Sequence, residues 1–350
     1  MPTWNPLRHE TCHIWSTPRL LAFEEHIPRL FVVIIDSGSG PEPIRLNNEN
    51  DSNSDFTSVS EDDLPPIHAY GHTYHGSGRV WVPNDVSEAS RLNLQHLLFK
   101  KLHRGRLTHT RLPDEISHGD FEILDVGTGA GTWAHEMGRQ YPSANILGTD
   151  LSVALLHHYI PPNVRFEVFD AAEPWDDRKY HFINMRDLVG GGIRDWKGLL
   201  SSAFAHLYPG GQLEFVQFRC ESSQASSSAD EVPDALQEYQ RTLQRMCDEQ
   251  GLDFDPASSV PAWLDEMGAE NICSRVRWLP TWIGRDALHA VSARNRHVGE
   301  LGGILLPLVL ENWAIMLFDK GGLGEDYTRD LISRIVEEQR LDQARICLKL

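Results

Sequence analysis

The segment Asp125-Val126-Gly127-Thr128-Gly129-Ala130-Gly131 constrains the fold of this chain more than any other stretch. It completes an apolar run, Phe121 to Val126, that reads as a strand. It precedes Thr132 to Tyr141, which reads as a helix stopped by Pro142. Glycines between a strand and a helix let the backbone approach a ligand closely and adopt angles that a Cβ forbids. The helix N-terminus beyond presents free N–H groups that suit a carboxylate or phosphate. Spacing separates two ligands. A dinucleotide fold wants Gly-x-Gly-x-x-Gly, whereas this loop is Gly127-x-Gly129-x-Gly131 with Asp125 two residues ahead. That position of the third glycine disfavours a nicotinamide-dependent oxidoreductase. A tight turn without a ligand is the plain alternative.

The pattern that follows alternates strand and helix, which predicts an α/β fold built on a parallel sheet with right-handed crossovers. Asn145 to Thr149 reads as a second strand closing on Asp150, and Ser152 to Tyr159 as a short helix ended by Pro161-Pro162. Val164 to Phe169 is a third strand running into Asp170, and Tyr180 to Met185 a fourth. Asp195 caps a helix that reaches Leu207, and Gln212 to Phe218 makes a fifth strand. Asp125, Asp150 and Asp170 therefore fall at three successive strand ends on one edge of the sheet. A carboxylate at the second strand end can accept from both ribose hydroxyls. Asp170 can accept from the exocyclic amine of adenine, with Ala171 and Trp175 as apolar walls. Any one of these acids alone reads as a solvated loop residue.

Composition excludes several classes. The net charge of −18, from 50 acidic and 32 basic residues, repels phosphate backbones and disfavours direct nucleic-acid binding. The densest basic cluster, Lys100 to Arg106, is short and reads as a solvated helix face. Five scattered cysteines without a Cys-x-x-Cys pair fit a reducing compartment, and neither a disulfide framework nor a zinc site. Arg8, His9, Glu10 and Pro6 interrupt any early apolar core, so no signal peptide is expected. Leu301 to Phe318 is long enough to span a bilayer but carries Pro307, Glu311 and Asn312, and reads as a buried helix pair. The expected setting is cytoplasmic or nuclear, with no membrane span.

Both ends of the chain read differently from its middle. Asn47 to Asp63 is rich in Asn, Asp, Ser and Glu, a composition that cannot offset ordering entropy. Phe31 to Ile35 has strand character but no obvious partner nearby. After the fifth strand, Glu221 to Glu231 is a Ser-rich surface loop. Pro233 to Gln250 and Trp263 to Gly268 read as helices, and Asn271 to Leu279 as a sixth strand.

The acidic-x-Gly-x-Gly-x-Gly form resembles the first motif of class I methyltransferases. Longer stretches narrow the likeness: Tyr70-Gly71-His72-Thr73-Tyr74-His75, Val82-Pro83-Asn84-Asp85, and Arg91-Leu92-Asn93-Leu94-Gln95-His96. Tyr141 to Ala144, Gly148 to Ser152, Pro161 to Phe166, Glu173-Pro174-Trp175, Ile193 to Trp196 and His206 to Gly211 add to it. Together they resemble the fungal LaeA-like methyltransferases over about residues 52 to 320.

The resemblance implies a Rossmann-like seven-strand methyltransferase sheet with helices on both faces and a helical cover over the active site. It implies S-adenosylmethionine as cofactor, bound by Asp125, Gly127, Thr128, Gly129, Gly131, Asp150, Leu151, Asp170 and Ala171. Arg186, after the fourth strand, falls where the family often carries an arginine facing the pocket, and would hold the methionine carboxylate or a substrate acid. The expected organisation is a largely disordered or irregular leader over 1–66 and an N-terminal helical cap over the cofactor site at 67–119. A cofactor-binding core follows at 120–220, then a helical cover with the C-terminal part of the sheet at 221–350. The chain departs from the family at Thr132, at Leu155 to Tyr159, and at a C-terminus lacking the aromatic-Gly-Arg ending. The last, antiparallel strand is therefore expected to be short or missing.

The likeness also places the Tyr70–His75 segment at the pocket mouth, making His72, Tyr74 and His75 the candidates for a base. A base is needed only if the acceptor is a hydroxyl or a protonated amine. His68, His72 and His75 have metal-compatible spacing, but no Cys or carboxylate completes a set, so no metal is expected. Asn184-Met185-Arg186-Asp187 is not the Asn/Asp-Pro-Pro-aromatic motif of one N-methyltransferase class, nor is the acidic pair of arginine methyltransferases evident. Trp263, Trp278, Trp282, Trp313 and Phe318 are candidate walls on the acceptor side. Two roles follow: methyl transfer to a small fungal metabolite or a protein, or regulation through partners such as velvet-type proteins with weak or no transfer.

Overall fold

The computed structural model describes residues 32–36, 64–112, 121–156, 159–218, 234–276, 278–281, 293–340 and 347–349. The chain begins with β1 (Val32–Asp36), the hairpin of β2 (Ile67–Ala69) and β3 (His72–Tyr74), and α1 (Val86–Leu102). The alternating region holds β4 (Phe121–Val126), α2 (Thr132–Gln140), β5 (Ala144–Asp150), β6 (Val164–Val168), β7 (Tyr180–Arg186), α3 (Trp196–Ala205) and β8 (Leu207–Val216). Then come α4 (Asp234–Gln250), α5 (Val260–Glu266), β9 (Glu270–Ser274), β10 (Trp278–Pro280), α6 (Ala293–Lys320), α7 (Glu325–Arg340) and β11 (Cys347–Lys349).

One seven-stranded sheet runs in the order β6-β5-β4-β7-β8-β1-β9. β6, β5, β4, β7 and β8 are parallel neighbours. Alternation along these strands feeds two cores. Ile123, Ile146 and Phe182 pack on one face with Trp133 and Met137 of α2. Leu124, Leu147 and Ile183 face the other side, with Leu199 and Leu200 of α3 and much of α6. Crossovers that cover both faces explain why the strands carry apolar residues on both sides.

The antiparallel strand is present, and it comes from the region expected to be irregular. β1 lies between β8 and β9 and is antiparallel to both, with Val32 opposite Val216 and Asp36 opposite Gln212. The apolar run without a local partner thus pairs with strands about two hundred residues away, a pairing that local sequence cannot show. The C-terminal residues do not take that place, because β11 pairs with β10 in a separate two-stranded sheet. The rest of the expected leader, 1–31 and 37–63, lies outside the described residues, as do Trp282 and the Ser-rich stretch 221–231.

Two further expectations change. Residues 152–156 form bends and turns, not a helix, and 157–158 lie outside the described residues. Asp150 accepts from Ser152 N–H and Ser152 Oγ accepts from Ala154 N–H, local bonds that compete with the helical ladder. Leu301 to Phe318 is one helix, part of the 28-residue α6, with Pro307 inside it. Proline in a helix interior costs about 3 kcal/mol. Burial of Leu305, Leu306, Val309, Leu310 and Trp313 around it offsets that cost. The His297–Lys320 stretch is apolar and long enough to cross a membrane, yet 67% of its apolar window is buried, as in a core helix.

Candidate active site

The glycine loop is built by its left-handed angles. Gly127, Gly129 and Gly131 have φ of 66°, 56° and 72°. A Cβ at Gly127 would collide with the Leu188 side chain, and one at Gly131 would lie 2.8 Å from the Phe166 ring. The turn is pinned by Thr128 N–H donating to Thr149 O at 2.9 Å and by Thr128 Oγ1 donating to Asp125 at 2.6 Å. Asn184 Nδ2 donates to the other Asp125 oxygen at 2.7 Å. Burial raises the pKa of Asp125, with Arg186, Thr128 and Asn184 pulling it down.

Asp150 reaches back over the loop, where Gly129 N–H donates to it at 2.7 Å. Burial pushes its pKa up to about 6, against the backbone donors of Gly129, Ser152 and Leu151. Asp170 accepts from Arg79 Nη2 at 2.5 Å and from Ala172 N–H at 3.0 Å. Its expected acceptance from an adenine amine therefore shares the carboxylate with an arginine of the overlying segment.

These groups open on one cavity of about 1290 Å³, its open mouth included. Asp125, Gly127, Thr128, Gly129, Asp150, Leu151, Asp170, Ala171, Arg186 and His75 line it. Gly131 does not. It is the residue before α2, packed behind the loop against Phe166 and Leu156. His72 and Tyr74 do not line the cavity either. Strand alternation explains the split, since His72 and Tyr74 share one side of β3 and His75 falls on the other. Tyr74 is fully buried against the core, and burial holds its phenol well above the ordinary tyrosine range. His72 Nδ1 contacts Asp85 at 2.8 Å, while Asp85 also caps α1 by accepting from Glu88 N–H. His68 and His75 meet Thr73 and Ser77, so the three histidines have separate partners. Of the expected aromatic walls, Trp313 lines the cavity, while Phe318 is core.

Sequence reading missed the polar face of α1. Glu88, Arg91 and Gln95, at helical spacing, all line the cavity. Arg91 donates to both Glu88 oxygens at 2.7 and 2.8 Å and to Gln95. Gln95 donates to Asp187 at 2.7 Å, and Asn312 of α6 donates to Glu88 at 2.5 Å. The i, i+3, i+7 spacing of a charged pair and an amide was visible, but on an isolated helix it equally describes a solvated stripe.

A protein-family model described as a methyltransferase domain matches residues 91–274, more than half of the chain. The chain belongs to this methyltransferase family. Methyltransferase pytC of Aspergillus terreus is 36% identical over 229 residues, covering 63% of this chain and 68% of that protein. The secondary metabolism regulator LAE1 of Cochliobolus heterostrophus is 36% identical over 157 residues, covering 43% of this chain and 50% of that protein. The protein-methionine methyltransferase laeA of Emericella nidulans is 30% identical over 172 residues, covering 45% of this chain and 43% of that protein. Among solved structures, Haemonchus contortus phosphoethanolamine N-methyltransferase 2 aligns with a TM-score of 0.40 and 15% identity, covering 72% of this chain and 51% of that one.

The cofactor of this methyltransferase family is S-adenosylmethionine, and the residues present fit it. The loop is a cradle that any Cβ would fill, and a carboxylate stands beside it.

Proposed function

We propose that this methyltransferase transfers the methyl group of S-adenosylmethionine to a small-molecule acceptor in fungal secondary metabolism. The observation that carries this reading is one cavity walled by the glycine loop, Asp150 and Asp170, and continuing to His75 and Trp313. Asp150 would hold the ribose hydroxyls, and Leu151 and Ala171 would flank the adenine. The cofactor supplies an electrophilic methyl on a sulfonium. This chain's residues orient the two reactants and exclude water, the terms that dominate a displacement of this kind. Where the acceptor is a hydroxyl or a protonated amine, His75 would take the proton, as the one of the three base candidates that lines the cavity.

Purified protein incubated with methyl-labelled S-adenosylmethionine and a fungal metabolite extract tests this. A labelled small product is expected, detected by mass spectrometry. No retained cofactor at millimolar supply would overturn the reading. The name of the LAE1 relative, a secondary metabolism regulator, favours a second one: regulation of secondary metabolism, which we propose would run through protein partners such as velvet-type proteins, with weak transfer. A velvet-type protein that co-purifies, together with an unlabelled extract, would support that role.

A further inference from the structure

Three carboxylates in the cavity lining have no cation within 4 Å among the described residues: Asp125, Asp150 and Asp187. Neutral donors hold each of them. Asp125 accepts from Thr128 and Asn184, and Asp150 from the N–H groups of Gly129 and Ser152. Asp187 accepts from Gln95 Nε2 at 2.7 Å on one oxygen. Its other oxygen accepts from Gln217 Nε2 at 2.7 Å and from Phe218 N–H at 3.4 Å. The arginines nearby are engaged elsewhere. Arg91 is clamped by both Glu88 oxygens, Arg79 meets Asp170, and Arg186 turns to the Phe99 ring, 5.1 Å from its guanidinium carbon. Five carboxylates, those of Glu88, Asp125, Asp150, Asp170 and Asp187, thus stand against three arginines, a surplus of negative charge.

Place in the sheet separates the three carboxylates without a cation. Asp125, 3% exposed, lies beneath the glycine turn and ties it to Asn184 of β7. Asp150 ends β5, where the ribose is expected. Asp187 is half-buried and follows the last residue of β7, two strands away in the order β5-β4-β7. Its φ is 55°, a left-handed angle that few residues adopt apart from glycine, asparagine and aspartate. Asp187 N–H donates to Val216 O at 2.7 Å and holds that turn. Gln95 comes from α1, while Gln217 and Phe218 follow β8, so two separate elements fix the carboxylate at this edge. Register keeps the strand ends level, with Val126 opposite both Thr149 and Met185.

A nucleoside with its ribose at Asp150 and its base toward Asp170 sends its 5′ substituent over the loop toward β7. Two strand spacings, about 10 Å, separate β5 from β7. A hydrogen bond of about 2.8 Å, the ribose ring and one methylene cover most of that span and end on the sulfur. In S-adenosylmethionine this sulfur is a sulfonium cation, and in S-adenosylhomocysteine it is a neutral thioether.

We propose that Asp187 faces the sulfonium and makes the cavity select the charged cofactor over its demethylated product. This rests on the cofactor orientation proposed above. A sulfonium has no N–H or O–H to donate, so its attraction to a carboxylate is that of charge for charge. The amide donors of Gln95 and Gln217 fix the Asp187 carboxylate without neutralising it. Once the methyl has left, the sulfur is neutral and that attraction is gone, so the product is held less tightly than the cofactor.

Three ligands isolate the charge. S-adenosylmethionine, S-adenosylhomocysteine and sinefungin share the adenosine and the amino acid, and sinefungin carries a protonated amine in place of the methylated sulfonium. Calorimetry on the full chain at neutral pH compares them in wild type and Asp187→Asn. Wild type is expected to bind S-adenosylmethionine and sinefungin about tenfold more tightly than S-adenosylhomocysteine. Asp187→Asn, which accepts the same left-handed angle, should keep the affinity for S-adenosylhomocysteine and bring the three ligands together. Wild type that binds S-adenosylhomocysteine as tightly as S-adenosylmethionine overturns the proposal. So does a preference that survives in Asp187→Asn. Equal weakening of all three ligands also overturns it, since Asp187 would then touch a part that they share. If Asp187→Asn does not fold, Asp187→Gly, to which the angle is free, carries the same comparison. Wild type that binds none of the three would overturn the cofactor orientation itself, and the proposal with it, a failure distinct from the others.

Discussion

Arg91 and Arg186 line the same cavity, and their surroundings treat them in opposite ways. Arg91 sits beside Glu88 on α1, both side chains under 5% exposed, and is clamped by two hydrogen bonds with Gln95 as a third partner. Its pKa is raised, because Glu88 and Asp187 outweigh the cost of burial. Arg186 meets only a ring face and a neutral histidine at short range, and its pKa is lowered because burial wins. A cation that the protein itself neutralises belongs to the scaffold. Arg186 has no such bidentate partner, and Asp125, Asp187 and Glu214 act on it from farther away.

That contrast can be broken most sharply at Arg91. Arg91→Met leaves Glu88 buried without its cation, and removing one partner of a buried pair costs about 3–5 kcal/mol. Urea denaturation should show that loss, while Arg186→Met should lower the unfolding free energy by less than about 1 kcal/mol, as for a site outside the named destabilising mechanisms. Equal losses in the two variants would erase the distinction between a clamped arginine and an unclamped one. Next in size is Asp150→Ala, expected to weaken S-adenosylhomocysteine by about ten- to hundredfold. Unchanged affinity by calorimetry would remove Asp150 from the ribose.

Acidity adds a subtler test at the same carboxylate. Burial raises the Asp150 pKa to about 6, above its ordinary value of 3.8. The folded protein therefore favours the protonated form. Its stabilising share is present at acid pH and is lost as pH rises from about 4 through about 6. Ribose hydroxyls donate to the ionised form, so affinity for S-adenosylhomocysteine should drop as pH falls below about 6. Asp150→Asn should lack this dependence, and identical pH profiles for the two proteins would exclude Asp150 as its source. The smallest effect is expected at Arg79, whose pair with Asp170 is partly open to solvent, the side chains 34% and 23% exposed. Arg79→Ala should change stability by under about 1 kcal/mol in the same urea assay.

How far the sequence could be read follows from the range of the interactions involved. The loop, the strand before it and the carboxylates at the strand ends were legible, because turn chemistry and alternation act over a few residues. The polar face of α1 was visible as a spacing but not as a site, since burial decided its meaning. Asn312 reaches Glu88 across 224 positions, and Gln95 reaches Asp187 across 92. The three base candidates could be named as a set, yet only placement of the hairpin set His75 at the cavity and left His72 and Tyr74 off it.

By itself, then, the sequence determined the parallel core, the glycine turn at Gly127 and Gly129, and the acidic strand-end edge formed by Asp125, Asp150 and Asp170. Tertiary structure alone decided that the antiparallel strand comes from Val32–Asp36 and that Arg91 is neutralised while Arg186 is not. The physical reason is common to both. Strand partners and ion partners are chosen by what the fold brings near, and neither carries a local period.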